Sequence, residues 1–137
     1  NITPQQIEKR RAAMDTALPD ACVRGYQRLM DALELPDPDD RHVLAAAIRA
    51  KAQVIVTFNE RDFPDTVLAG YDLSAQHPDA FVRHLIDLNP GLVRARVEEM
   101  LASWKNPPTA AETFIGFLER CGLPETAAAL RELCAVP

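Results

Sequence analysis

Two short clusters of polar residues hold the groups most able to do chemistry. Asp37, Asp39 and Asp40 stand in Leu35-Pro36-Asp37-Pro38-Asp39-Asp40-Arg41-His42, just ahead of an apolar run that begins at Val43. A second cluster, Asn59-Glu60-Arg61-Asp62, follows the β-branched stretch Val54-Ile55-Val56-Thr57. Carboxylates brought together suit Mg2+ or Mn2+, hard ions that take oxygen ligands and keep waters for a substrate phosphate. Such ions activate water and stabilise the leaving oxygen of a phosphodiester displacement.

The two clusters meet only if the elements between them turn both to one edge. Residues before proline are pushed toward extended conformations, so Leu35 to Pro38 is not helical, and Asp39 or Asp40 is the natural N-cap of the next helix. Val43, Leu44, Ala47 and Ile48 form the inner face of that helix, with Arg41, Arg49 and Lys51 outside. Gln53 to Thr57 then reads as a strand buried on both faces, the pattern of a parallel sheet covered by helices. Because the helix ends where the strand begins, its N-terminus lies near the strand's carboxyl end, where open α/β sheets bind ligands. Taken singly, an Asp before a helix is more often a cap than a ligand. His42 alone reads as a surface residue, and Arg41 and Arg61 as partners in surface ion pairs.

The rest of the chain reads as mostly helical. Thr3-Pro4-Gln5-Gln6 opens a helix with a capping box and proline at its first position, and Ile7, Met14 and Leu18 lie near one face. Tyr26, Leu29, Met30 and Leu33 follow at helical spacing. A brief helix from Asp65 to Gly70 leads to a short second strand at Tyr71–Gln76, and no further strand is offered to complete a parallel sheet. Phe81, Val82, Leu85 and Ile86 form the next stripe. Asn89 caps a helix carrying Val93, Val97, Met100, Leu101 and Trp104. Thr109 and Glu112 make a capping box for a helix with Phe114, Phe117 and Leu118 inside and Gly122 at its end. A last helix runs from about Pro124 to Cys134.

Composition narrows the classes. The 137 residues are 47% apolar and 26% charged, which fits one globular domain. A net charge of −5 gives no basic field for stoichiometric nucleic-acid binding. It leaves room for an enzyme whose acids meet phosphate through a metal. Cys22, Cys121 and Cys134 form no C-x-x-C motif and read as small buried hydrophobes in a reducing cytoplasm. The longest apolar runs fall far short of the roughly 20 residues of a membrane span.

Longer motifs add a resemblance. Asp40 to Ile48 (D-R-H-V-L-A-A-A-I) followed by Val54 to Pro64 (V-I-V-T-F-N-E-R-D-F-P) is similar to a branch of the PIN domain family. The similarity continues through Ser74–Phe81 and Lys105-Asn106-Pro107-Pro108, so it covers nearly the whole chain. It implies an α/β, PIN-like three-layer fold around a short, here incomplete, parallel sheet in residues 1–88, with a helical C-terminal appendage in residues 89–137. It implies a metal-dependent endoribonuclease of VapC toxin type, with three or four acids around Mg2+ or Mn2+. Asp40 matches the family's acid at the helix start and Asp62 the acid after the strand, which makes them the candidate catalytic pair. Asn59 falls where many members have Asp, and the candidate metal ligands are Asp40, Asp62, Asn59 and Asp37, with Asp39 as a further candidate.

The family's D-x-N-V-L segment and a following helical Glu have no counterpart here. The chain is therefore expected to start after both and to be weak or inactive as a nuclease by itself. Expected partners are an RNA substrate, an antitoxin protein and a second copy in a homodimer, swapped or not, with no membrane. The alternative is a non-catalytic module for dimerisation or antitoxin-like binding, with an unpaired sheet edge as its docking surface.

Overall fold

Helices dominate the computed structural model, which describes residues 2–134. The elements in order are α1 (Pro4–Ala17), α2 (Arg41–Ala50), β1 (Val54–Val56), α3 (Asp65–Leu68), β2 (Ser74–Gln76), α4 (Pro78–Leu88), α5 (Pro90–Ser103), α6 (Ala111–Arg120) and α7 (Pro124–Cys134), with short 3-10 turns between some of them. The fold is α/β, mostly helical with a two-stranded parallel sheet of order β1–β2. Residues 135–137 of the expected appendage lie outside the described range. Two compact units divide the chain: residues up to Ile55 with Arg61–Ser74, and Val56–Glu60 with residues from Ala75 onward. Helix α4, which precedes the expected boundary at residues 88/89, falls in the second unit with α5, α6 and α7.

In the first unit, α1 has the expected capping box. The Gln6 N–H donates to Thr3 Oγ1 at 3.3 Å and the Thr3 N–H to Gln6 Oε1 at 2.9 Å. None of its residues is buried, and Ile7, Met14 and Leu18 are exposed. Three apolar side chains spread over 14 residues make too narrow a stripe to drive packing. The helix rests instead on its cap and on the exposed Arg11–Asp15 pair. The helix expected from the spacing of Tyr26 to Leu33 is a 3-10 segment, Gln27–Ala32, preceded by Gly25 at φ +76°. Only Leu33 of that stretch is buried.

Helix α2 turns a buried pair, Leu44 and Ala45, toward a core that includes Leu33, Ile55, Phe63, Leu68 and Leu73. Val43, Ala47 and Ile48 are half-buried around that pair. Lys51 stops the helix in the left-handed region at φ 54°. Strand β1 follows, but only Ile55 is buried; Val56 is 43% exposed, so the strand is not covered on both faces as its sequence suggests. Among the described residues the two three-residue strands pair only with each other, and continuous apolar character does not guarantee two covering layers. The pairing is seen where the Ser74 N–H donates to the Gln53 carbonyl at 3.1 Å and the Thr57 N–H to the Gln76 carbonyl at 3.0 Å.

The second unit is a helical bundle. Ile86, Ile115, Ala127, Ala129 and Leu130 form its buried core, flanked by Val82, Val93, Val97, Phe114, Leu118 and Leu133. Asn89 Oδ1 accepts from the Leu92 N–H at 3.1 Å and starts α5 as expected. Helix α6 departs from its expected pattern. It starts at Ala111 with Ala110 in the N-cap position, so Thr109 stands one residue too early to cap it, and the Thr109 hydroxyl donates to the Pro107 carbonyl. Its register buries Ile115 and leaves Phe117 57% exposed. Trp104 sits past the end of α5, exposed, with its ring edge-on to Phe114. The cysteines also differ from expectation: Cys22 and Cys121 are exposed and Cys134 is half-buried. Among the described residues no helix is long and apolar enough to cross a membrane.

Candidate metal centre

The D-P-D-D segment folds as a single 3-10 turn, Pro38–Asp40, that runs directly into α2. Asp37 is its cap: Oδ1 accepts from the Asp39 N–H at 2.9 Å, and the Asp37 carbonyl accepts from the Asp40 N–H at 3.2 Å. The side-chain capping bond is thus made by Asp37 at the 3-10 turn, while the N-cap of the following helix falls at Asp40, one of the two positions expected. Asp40 occupies the N-cap position of α2 yet makes no side-chain capping bond. Its carboxylate is left to the cluster rather than spent on the helix end.

Asp62 ends the 3-10 turn Glu60–Asp62 that follows β1. Asp37, Asp40 and Asp62 each place a carboxylate oxygen within 4.8 Å of the others'. Asp37 is exposed while Asp40 and Asp62 are half-buried, so the cluster is open on one side. Such crowding has a measurable consequence. The carboxyl of Asp40 is raised above its ordinary value, first by partial loss of water, then by the charges of Asp37 and Asp62. A hydrogen bond with Asp62 works in the same direction, and the nearby His42 lowers it in part. Two carboxyl groups make that bond only with a proton between them. A divalent ion would relieve the same repulsion more fully than one proton. An all-oxygen set with an open side is the donor chemistry that Mg2+ and Mn2+ take, so the residues fit such an ion.

Of the residues singled out in the sequence, Asp37, Asp40 and Asp62 come together. Asp39 contributes a backbone oxygen to His42 rather than a carboxylate to this group. Asn59 belongs to the second unit, where its N–H donates to Thr57 Oγ1 at 3.0 Å. Two residues carry more of the local structure than the sequence suggested. Arg41 Nε donates to the Pro38 carbonyl at 2.9 Å, and His42 Nδ1 lies 2.6 Å from the Asp39 carbonyl. Their signal was position alone: a side chain in the first turn of a helix can reach a carbonyl three residues back.

Comparison with known sequences agrees with this geometry. Residues 3–61 match the PIN domain family, and residues 78–132 match the VapC50 C-terminal domain. The PIN match takes in Asp37 and Asp40 and ends at Arg61, immediately before Asp62. A protein of Mycobacterium tuberculosis (strain ATCC 25618 / H37Rv), named Putative ribonuclease VapC50, is 38% identical over 109 residues, 80% of this chain and 63% of that protein. The chain thus spans less than two thirds of this relative's length. No solved structure matches it.

Proposed function

We propose that this chain is part of a PIN endoribonuclease of VapC toxin type, hydrolysing RNA phosphodiesters with Mg2+ or Mn2+ held by Asp37, Asp40 and Asp62. The observation that carries this reading is the convergence of three carboxylates from two separate segments. Two of these acids lie inside the PIN match and the third directly follows it. Asp40 and Asp62 are the proposed catalytic pair.

The bound ion supplies Lewis-acid polarisation of the phosphate and an activated water. The chain's own part is placement. Asp37, Asp40 and Asp62 would hold the ion, whose charge would offset the repulsion among their carboxylates. Exposed Asp37 marks the open side, through which a backbone phosphate can approach without burying the RNA bases. A net negative chain has little other attraction for RNA, so binding runs through the ion rather than a basic face. An antitoxin-like protein and a second copy of the chain are the proposed partners.

The resemblance calls for further acids that these residues do not supply, so we expect the 137-residue chain to cleave RNA weakly or not at all. Long incubation of labelled single-stranded RNA with Mn2+ tests this. The expected result is at most trace cleavage, removed by EDTA and by Asp40→Asn. Robust cleavage that survives Asp40→Asn would contradict both the proposed site and the proposed weakness.

A further inference from the structure

The turn that presents Asp37 and Asp40 is tied down at three successive carbonyls, and two of the ties are side chains that the proposed chemistry does not use. The Asp37 carbonyl takes the Asp40 N–H. The Pro38 carbonyl takes two donors, the backbone N–H and Nε of Arg41. The Asp39 carbonyl faces His42 Nδ1 at 2.6 Å. A carbonyl oxygen only accepts, so Nδ1 carries the proton in this contact. Both the neutral Nδ1–H tautomer and the imidazolium provide that donor, and the bond therefore does not depend on the ring's charge.

A 3-10 turn of three residues is weakly held by its own backbone, with poorer hydrogen-bond geometry than an α-helix. Here its orientation matters, because the directions of the Asp37 and Asp40 side chains follow from it. A small rotation of the turn would separate oxygens that now converge within 4.8 Å of Asp62. Groups that fix a ligand's orientation without touching the ion commonly tune its affinity by one to two orders of magnitude.

We propose that His42 and Arg41 are positioning residues of the acid cluster: their Nδ1–H and Nε–H groups lock the Pro38–Asp40 turn so that Asp37 and Asp40 converge on Asp62. The inference rests on the metal-site reading above and deepens it. It assigns His42 through Nδ1, the nitrogen turned back to the chain, and not through Nε2 as a ligand or a phosphate contact.

Amide substitutions separate these two roles, because an Asn side chain can place N–H near the Nδ1 position and a Gln side chain places it near Nε2. The test measures Mn2+ affinity by paramagnetic resonance titration, and amide exchange at Asp40 and Arg41 without metal, in the 137-residue chain and its variants. His42→Asn is expected to keep Mn2+ affinity within about twofold. His42→Ala and His42→Gln are expected to lose roughly tenfold and to speed exchange at both amides several-fold. Arg41→Ala should weaken affinity in the same direction.

Retention by Gln with loss in Asn would overturn the proposal in favour of an Nε2 contact. Equal affinity and equal exchange in all variants would overturn it outright. Should the unsubstituted chain bind no Mn2+, the metal-site reading fails, and the exchange pattern still decides the positioning claim. Faster exchange in Ala and Gln but not in Asn upholds that claim; uniform exchange refutes it.

Discussion

Two aspartates of this chain, Asp40 in the first unit and Asp79 in the second, meet opposite environments. Asp79 is 6% exposed and fully served: its carboxylate accepts the Glu125 N–H at 2.9 Å and the Thr126 N–H at 2.8 Å. The Thr126 hydroxyl donates back to the Asp79 carbonyl at 3.3 Å. It caps α7 from the start of α4. Burial works to raise its carboxyl, and the donors from Thr126 and Glu125, with His77, outweigh burial and hold it below its ordinary value. Asp40 is more accessible to water, yet its carboxyl is raised, by partial burial and by two neighbouring acids. Burial therefore does not separate the capping acid from the acid of the proposed metal site. What separates them is whether the protein itself supplies the donors. Asp79 is satisfied by backbone N–H groups and builds the bundle; Asp40 faces the carboxylates of Asp37 and Asp62.

That contrast can be broken at its strongest point first. Replacing a core residue of the second unit sets the scale: Leu130→Ala should cost about 2–5 kcal/mol in a urea melt, the usual range for a buried leucine. Asp79→Ala should follow at about 1–3 kcal/mol, because it removes the cap of α7 and strands two buried N–H donors. A loss no larger than that of an exposed control such as Asp31→Ala would mean that Asp79 is not structural.

Acid titration gives the two aspartates opposite signs. The folded pKa of Asp79 is depressed, so its stabilisation is present above its unfolded value of about 3.9 and is lost as pH falls through the lower folded value. The folded pKa of Asp40 is raised, so its contribution is present below about 3.9 and is lost as pH rises through the higher folded value. Asp40→Asn should therefore raise the metal-free unfolding midpoint slightly near neutral pH and lose that advantage on acidification. A lower midpoint at neutral pH would show that the Asp40 charge is favourably paired after all. The smallest effect is expected at the surface of the bundle. Arg131 bridges Glu112 and Glu119 at 2.9 and 2.8 Å, but all three are well exposed, and Glu112→Gln should leave the melt unchanged within error.

Much of this architecture was legible because it is local. The Thr3–Gln6 box, the Asn89 cap, Gly122 at the end of α6 and the limits of α7 all form between near neighbours. The acid cluster was legible for a similar reason, since the helix–strand connection fixes which ends face each other. The readings that failed depend on contacts far along the chain. Phe117 and Ile115 are equally apolar, and only packing chooses which is buried. Thr109-x-x-Glu112 has the capping pattern, but the helix starts one residue later and puts Ala110 at the N-cap. Asp79 bonds across 46 and 47 residues, a link that no local pattern announces.

The central claim is that Asp37, Asp40 and Asp62 form one divalent-cation site. Calorimetric titration of the 137-residue chain with Mn2+ tests it most directly, with Asp40→Asn, Asp62→Asn and the exposed control Asp72→Asn alongside. The account predicts one Mn2+ per chain, displaced by excess Mg2+, with binding lost in Asp40→Asn and Asp62→Asn and kept in Asp72→Asn. No Mn2+ uptake by the unsubstituted chain, or equal uptake by all four proteins, would contradict it.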